Sequence, residues 1–173
     1  LPGLATELAV EGRLGEDRQQ IAYVSLEGGV VANGMAIVDV TNPATPILLS
    51  LLNLPGPGLA IAVDPARQLA VVAAGSRGVL FIDVADPAAP RLVAPFSGTT
   101  TAADSALVVR IFRDFAYAGR GNTLAAIDLD RRMVVAELDL GSPPVDIAFR
   151  EDGQMLFVRD SASRVHAIAV NGP

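Results

Sequence analysis

Short apolar runs alternate along this chain with clusters of Gly, Pro, Asn and Asp. No segment keeps a 3.6-residue apolar stripe over about twelve residues without a Gly or Pro, so the pattern predicts β-strands rather than helices. One phrase recurs. Met35-Ala36-Ile37-Val38-Asp39-Val40 returns as Val79-Leu80-Phe81-Ile82-Asp83-Val84 and as Leu124-Ala125-Ala126-Ile127-Asp128-Leu129, with a weaker echo at Val165-His166-Ala167-Ile168-Ala169-Val170. From Asp39 to Asp83, Asp128 and Ala169 the steps are 44, 45 and 41 residues. A period in that range, built of short strands and turn residues, is that of β-propeller blades.

Each unit reads as four strands, A to D. The first predicts Leu4–Val10, Ile21–Ser25, Met35–Val40 and Ile47–Leu52; the second predicts Leu59–Val63, Leu69–Ala74, Val79–Val84 and Arg91–Phe96. The third predicts Ala106–Phe112, Phe115–Ala118, Thr123–Leu129 and Met133–Leu140, and the fourth Val145–Phe149, Met155–Arg159 and Val165–Val170. The fold class expected is all-β, a propeller of about four blades of antiparallel four-stranded sheets at residues 1–52, 53–96, 97–140 and 141–173. The last unit ends at Asn171-Gly172-Pro173, where the others turn from C to D. Its last blade therefore reads as incomplete, with Val165, Ala167, Ile168 and Val170 on an exposed edge strand. A piece of a larger propeller is the favoured reading; a four-bladed ring with one short blade, or an open array completed by a strand from another chain, are the alternatives.

The run Ala36-Ile37-Val38-Asp39-Val40-Thr41-Asn42-Pro43-Ala44-Thr45-Pro46 and its partner Leu80-Phe81-Ile82-Asp83-Val84-Ala85-Asp86-Pro87-Ala88-Ala89-Pro90 resemble the LVIVD repeat. Ile21-Ala22-Tyr23-Val24 and Phe115-Ala116-Tyr117-Ala118 resemble the strand that precedes it in that family. The last unit, from Phe149 to Val158, is more similar to the related YVTN-type repeat. The resemblance implies a β-propeller in a secreted or cell-surface bacterial or archaeal protein, and carries no catalytic motif.

Composition narrows the function classes. The net charge of −6 argues against nucleic acid as a partner. All thirteen basic residues are Arg. Without Cys there are no disulfides, thiolate metal sites or Cys nucleophiles. Residues 40–63 are uncharged, but Pro43, Pro46, Pro55 and Pro57 divide them into runs too short to span a bilayer.

The recurring Asp39, Asp83 and Asp128 are expected to cap their turns by accepting backbone N–H groups; a carboxylate ring for cations would scatter its ligands around the disc. The single His166 reads as a strand-edge residue, since one imidazole cannot build a usual transition-metal site and no nucleophile elbow surrounds Ser161 or Ser163. The clusters Gly28-Gly29, Gly75–Gly78 and Gly119–Gly121 read as hairpin turns with positive φ, not phosphate loops. Glu11–Gln20 reads as a solvated polar loop.

Arg77, Arg120 and Arg164 fall in equivalent B–C turns, and with Asn122 and Asp160 they are the candidate partner-binding residues, able to recognise carboxylate or phosphate. Arg67, Arg113 and Arg150 belong to the A–B turns at the opposite face. No catalytic residue, metal or cofactor is expected. The function expected is a non-catalytic interaction scaffold that presents turn loops to a protein or glycan partner, as in adhesion, or to neighbouring domains. The alternative is a fragment of a propeller enzyme, lactonase-, lyase- or hydrolase-like, whose site missing blades complete.

Overall fold

The computed structural model describes residues 3–12, 19–28, 33–93 and 105–170. Outside them lie most of the expected polar loop (13–18), the end of the expected strand Arg91–Phe96 (94–96) and the last turn (171–173).

The described residues form four antiparallel sheets and no helix. Sheet one holds β1 (Leu4–Gly12), β2 (Gln20–Glu27), β3 (Gly34–Asp39) and β4 (Ile47–Asn53), in that spatial order. Sheet two holds β5 (Ala60–Asp64), β6 (Leu69–Ala73), β7 (Val79–Asp83) and β8 (Arg91–Leu92). Sheet three holds β9 (Ala106–Phe112), β10 (Phe115–Arg120), β11 (Thr123–Asp128) and β12 (Met133–Asp139). Sheet four holds β13 (Pro144–Phe149), β14 (Met155–Asp160) and β15 (Val165–Ala169). Every predicted strand is present and nearly all bounds agree within two residues; β8 is the exception, reaching only Leu92.

β5 packs against both β1 and β9, and β9 packs against β13, so the first strand of each sheet lies toward a common axis. The last strands, β4 and β12, lie outermost and largely exposed. This is the radial arrangement of a propeller.

Between sheets, apolar rows interlock. Ile21, Tyr23, Met35 and Ile37 of sheet one meet Ile61, Val72, Leu80 and Ile82 of sheet two. The opposite face of sheet two presents Ala62, Val71 and Phe81 to Ala116, Ala118, Ala125 and Ile127 of sheet three. Val108, Tyr117 and Leu124 then meet Ile147, Leu156 and Val158 of sheet four. Sheets covered on both sides bury both side-chain sets, which is why their strands read as nearly continuous apolar runs rather than as alternation.

The turns follow the expected chemistry. Asp39 accepts from Thr41 N at 2.8 Å, Asp83 from Ala85 N at 2.9 Å, and Asp128 from the N–H groups of Asp130 and Arg131. Gly75, Gly78 and Gly121 have φ of 56°, 72° and 52°. Gly119 departs from expectation. It lies inside β10, where a Cβ would meet Pro144 Cβ at 3.0 Å, so it serves close approach of sheets three and four rather than a turn.

Candidate functional site

The B–C turns share one end of the sheets with the connections that lead into the next sheet. Gly75 of one B–C turn exchanges backbone hydrogen bonds with Ala106 at the start of β9. Gly121 N bonds Ser105 O, and Ser161 N bonds Pro143 O. Recurrence in sequence thus becomes a shared surface, and the five candidate residues stand on or beneath it.

Their environments differ. Arg77 is exposed, its stem lying over Gly56, and it makes no ion pair among the described residues. Asn122 is exposed at the tip of the next turn. Arg120 is folded back onto β12, paired with Glu137 at 2.7 Å, with only 11% of its side chain exposed. Arg164 is half exposed but tied down: Nε reaches Asp160 at 2.8 Å, and a terminal nitrogen donates to Leu140 O and Ser142 Oγ.

Asp160 is fully buried beneath its turn. Its carboxylate accepts from Arg164 N and Arg164 Nε, and lies 2.9 Å from His166 Nε2. Burial alone would raise its pKa; hydrogen bonds from His166, Ser142 and Arg164 overcome that and hold it well below the usual carboxylate range. Asp160 therefore acts through the residues it positions. His166, which sequence reading set at a strand edge, is indeed on β15, the edge strand of its sheet, yet partly buried on this carboxylate. Asp160 is its hydrogen-bonding partner, a carboxylate that Ser142 and Arg164 also engage, so the grouping orients the turn between β14 and β15.

Two groupings escaped sequence reading. Near the axis, Arg110 of β9 lies 2.7 Å from Glu7 of β1 and 4.0 Å from Asp146 of β13, while Glu7 accepts Ile61 N of β5. One ion network thereby joins four sheets at their inner strands. The available signal was a charge in the middle of a mostly apolar first strand in three of the four units. The second is the buried bond of Tyr23 hydroxyl to Glu11 at 2.7 Å.

The opposite end, made of A–B and C–D turns, is clasped by ion pairs. Arg67 reaches Asp64 in its own sheet and Asp114 and Asp130 in sheet three, at 2.8, 2.6 and 2.8 Å. Arg150 pairs with Asp152, and Arg131 with Asp128.

A cleft of about 680 Å³ lies between sheets three and four, beside the outer edge of β15. Tyr117, Leu124, Leu156, Ile168 and Val170 form its apolar wall. Of the expected edge residues, Ile168 and Val170 thus turn into the cleft, whereas Val165 and Ala167 are exposed.

Comparison with known proteins agrees with this geometry. Residues 22–53, which span β2 to β4, match the LVIVD repeat. No curated protein matches the chain. The crystal structure of the computationally designed Ika4 protein superposes with a TM-score of 0.72 at 10% identity, covering 98% of this chain and 92% of that one, a likeness of fold alone. The chain is a β-propeller-type repeat module that carries an LVIVD repeat in its first sheet.

Proposed function

We propose that this module is a non-catalytic interaction scaffold of a secreted or cell-surface bacterial protein, presenting its B–C turns to a protein or glycan partner in adhesion or assembly. The observation that carries the reading is the make-up of the B–C end itself. At the B–C end Arg77 and Asn122 face outward, with Arg164 held half exposed by the buried Asp160. An unengaged guanidinium, an exposed amide and a pre-oriented guanidinium on successive B–C turns suit a partner bearing carboxylates. Turns on a rigid stack of sheets are well placed to recognise without rearranging.

The test is binding of the chain to an immobilised panel of uronic-acid-bearing glycans, neutral glycans and a polyglutamate peptide. Binding to the acidic probes should fall about tenfold or more in the double variant Arg77→Ala, Asn122→Ala, with the far-ultraviolet spectrum unchanged. Arg164 is left intact because its loss would strip a partner from buried Asp160. Absence of binding to every probe, or binding that the double variant retains, overturns the reading.

A further inference from the structure

Sheet two shows what a covered sheet looks like in this chain: both faces are buried, and Leu92 is its one exposed large hydrophobic residue. Sheets one and four differ from it, each carrying exposed large hydrophobic residues on its outer face. On the outer side of sheet one, register sets Leu8, Val24, Ala36 and Leu51 in one row and Val10, Ala22, Val38 and Leu48 in the next. Neither row contains a polar residue. The margins of these rows are open, Leu8 61% exposed and Val10 57% with Leu48 and Leu51 near half, while Ala22, Val24 and Ala36 between them are buried. On the outer side of sheet four, Ala148, Phe157 and Ala167 form a row, flanked on one side by Met155 and Ala169 and on the other by Val165 with the exposed charges of Arg159 and Asp146. Phe157 and Val165 are exposed there.

These rows continue the interfaces already present within the chain. The outer row of sheet one occupies the positions of Ile61, Val72 and Leu80, which pack against the preceding sheet. The outer row of sheet four occupies the positions of Ala62, Val71 and Phe81, which pack against the following sheet. One free face is therefore built to receive the kind of face that the other presents. The two faces do not cover each other, because β13 does not pack on β1 as β5 and β9 do on their neighbours.

We infer that a second copy of this chain docks head-to-tail, sheet four of each copy packing on the outer face of sheet one of the other. Contacts between unlike faces close only if rotation returns to the start. Here the sheets already fan about one axis, held at the centre by Glu7, Arg110 and Asp146. Propellers typically contain about four to eight blades, so two copies of four sheets reach the upper end of that range and three copies exceed it. Closure as a dimer takes the exposed Leu8, Val10, Phe157 and Val165 out of water.

The experiment is light scattering after size exclusion, on the full chain at micromolar concentration, with Leu8→Arg and Phe157→Arg. Both positions are exposed in one copy, so both variants should keep the wild-type circular dichroism spectrum; Leu8→Ser and Phe157→Ser replace them if either does not. Wild type should run at twice the chain mass, and each variant should weaken dimerisation about 30-fold or more, as loss of a central contact does. Mixing the two variants should restore a dimer through one intact junction, sheet four of the Leu8 variant on sheet one of the Phe157 variant. A monomeric wild type overturns the inference and leaves a further sheet or another partner as the occupant. Failure of Phe157→Arg alone to weaken the dimer points to sheet one packing on itself and overturns it too, as does growth beyond a dimer.

Discussion

Phe81 holds the most consequential position in the packing between sheets two and three. It is 1% exposed and lies in the cluster that joins Ala62 and Val71 of its own sheet to Ala116, Ala118, Ala125 and Ile127 of the next. Phe81→Ala removes the phenyl ring from this junction. The lost transfer free energy is about 2–3 kcal/mol. A cavity term adds to it, bringing the expected loss to about 3–5 kcal/mol. Urea unfolding followed by circular dichroism, with the m-value held in common, measures the difference. The two tyrosines report independently, since Tyr23 lies in sheet one and Tyr117 in sheet three. In a stack stabilised by nearest-neighbour interfaces, a weakened junction between them should also separate the two tyrosine transitions. A loss below about 1 kcal/mol, well under the range for a buried aromatic, would refute the claim that this ring fills the junction.

Two further outcomes follow from local geometry. The Asp160 carboxylate, lowered in the folded state against burial by His166, Ser142 and Arg164, contributes stability that is present above the unfolded carboxylate pKa near 3.8 and is lost as pH falls through its folded value. The melting temperature of wild type should therefore drop more steeply on acidification below that point than that of Asp160→Asn, and parallel acid limbs would count against it. Gly153→Ala should destabilise by about 1–3 kcal/mol, because φ there is +67° and the added Cβ would sit on the Phe112 ring. Phe112 cannot easily yield, being stacked on Phe149 at 4.8 Å; an unchanged melting temperature would show that it does.

Much of this architecture is legible in the chain because its signals are local. Asp39, Asp83 and Asp128 announce the same capped turn three times, since an Asx side chain reaches N–H groups two or three residues on whatever lies around it. Strand bounds follow for the same reason, from Gly, Pro and Asn between apolar runs. What is not legible depends on which surfaces meet. Glu7, Arg110 and Asp146 are far apart in sequence and meet only because three inner strands surround one axis. The pairing of Asp160 with His166 needs the hairpin register that sets Val158 opposite His166. Gly119 reads as part of a turn because nothing in its neighbourhood reveals Pro144 above it. The outer row of sheet one is as apolar as the covered rows of sheet two, so sequence alone does not mark which of them is open.

The two proposed surfaces are coupled by geometry, and the coupling is testable. Head-to-tail packing continues the same sense around the axis, so the B–C turns of both copies lie on one side of the ring. A dimer then offers two copies of Arg77, Asn122 and Arg164 to a single dense surface, and linked sites of this kind gain about 10²–10⁴-fold in avidity when both can engage. Leu8→Arg lies on the outer face of sheet one and on none of the turns, so it should leave the affinity for a soluble monovalent acidic fragment unchanged. Retention on a densely coated acidic surface should fall by about tenfold or more in the same variant, as a second attachment is lost. Equal loss on both probes would place Leu8 in the recognition surface itself. Equal binding on both would mean that the second copy adds no attachment point, even if the dimer forms.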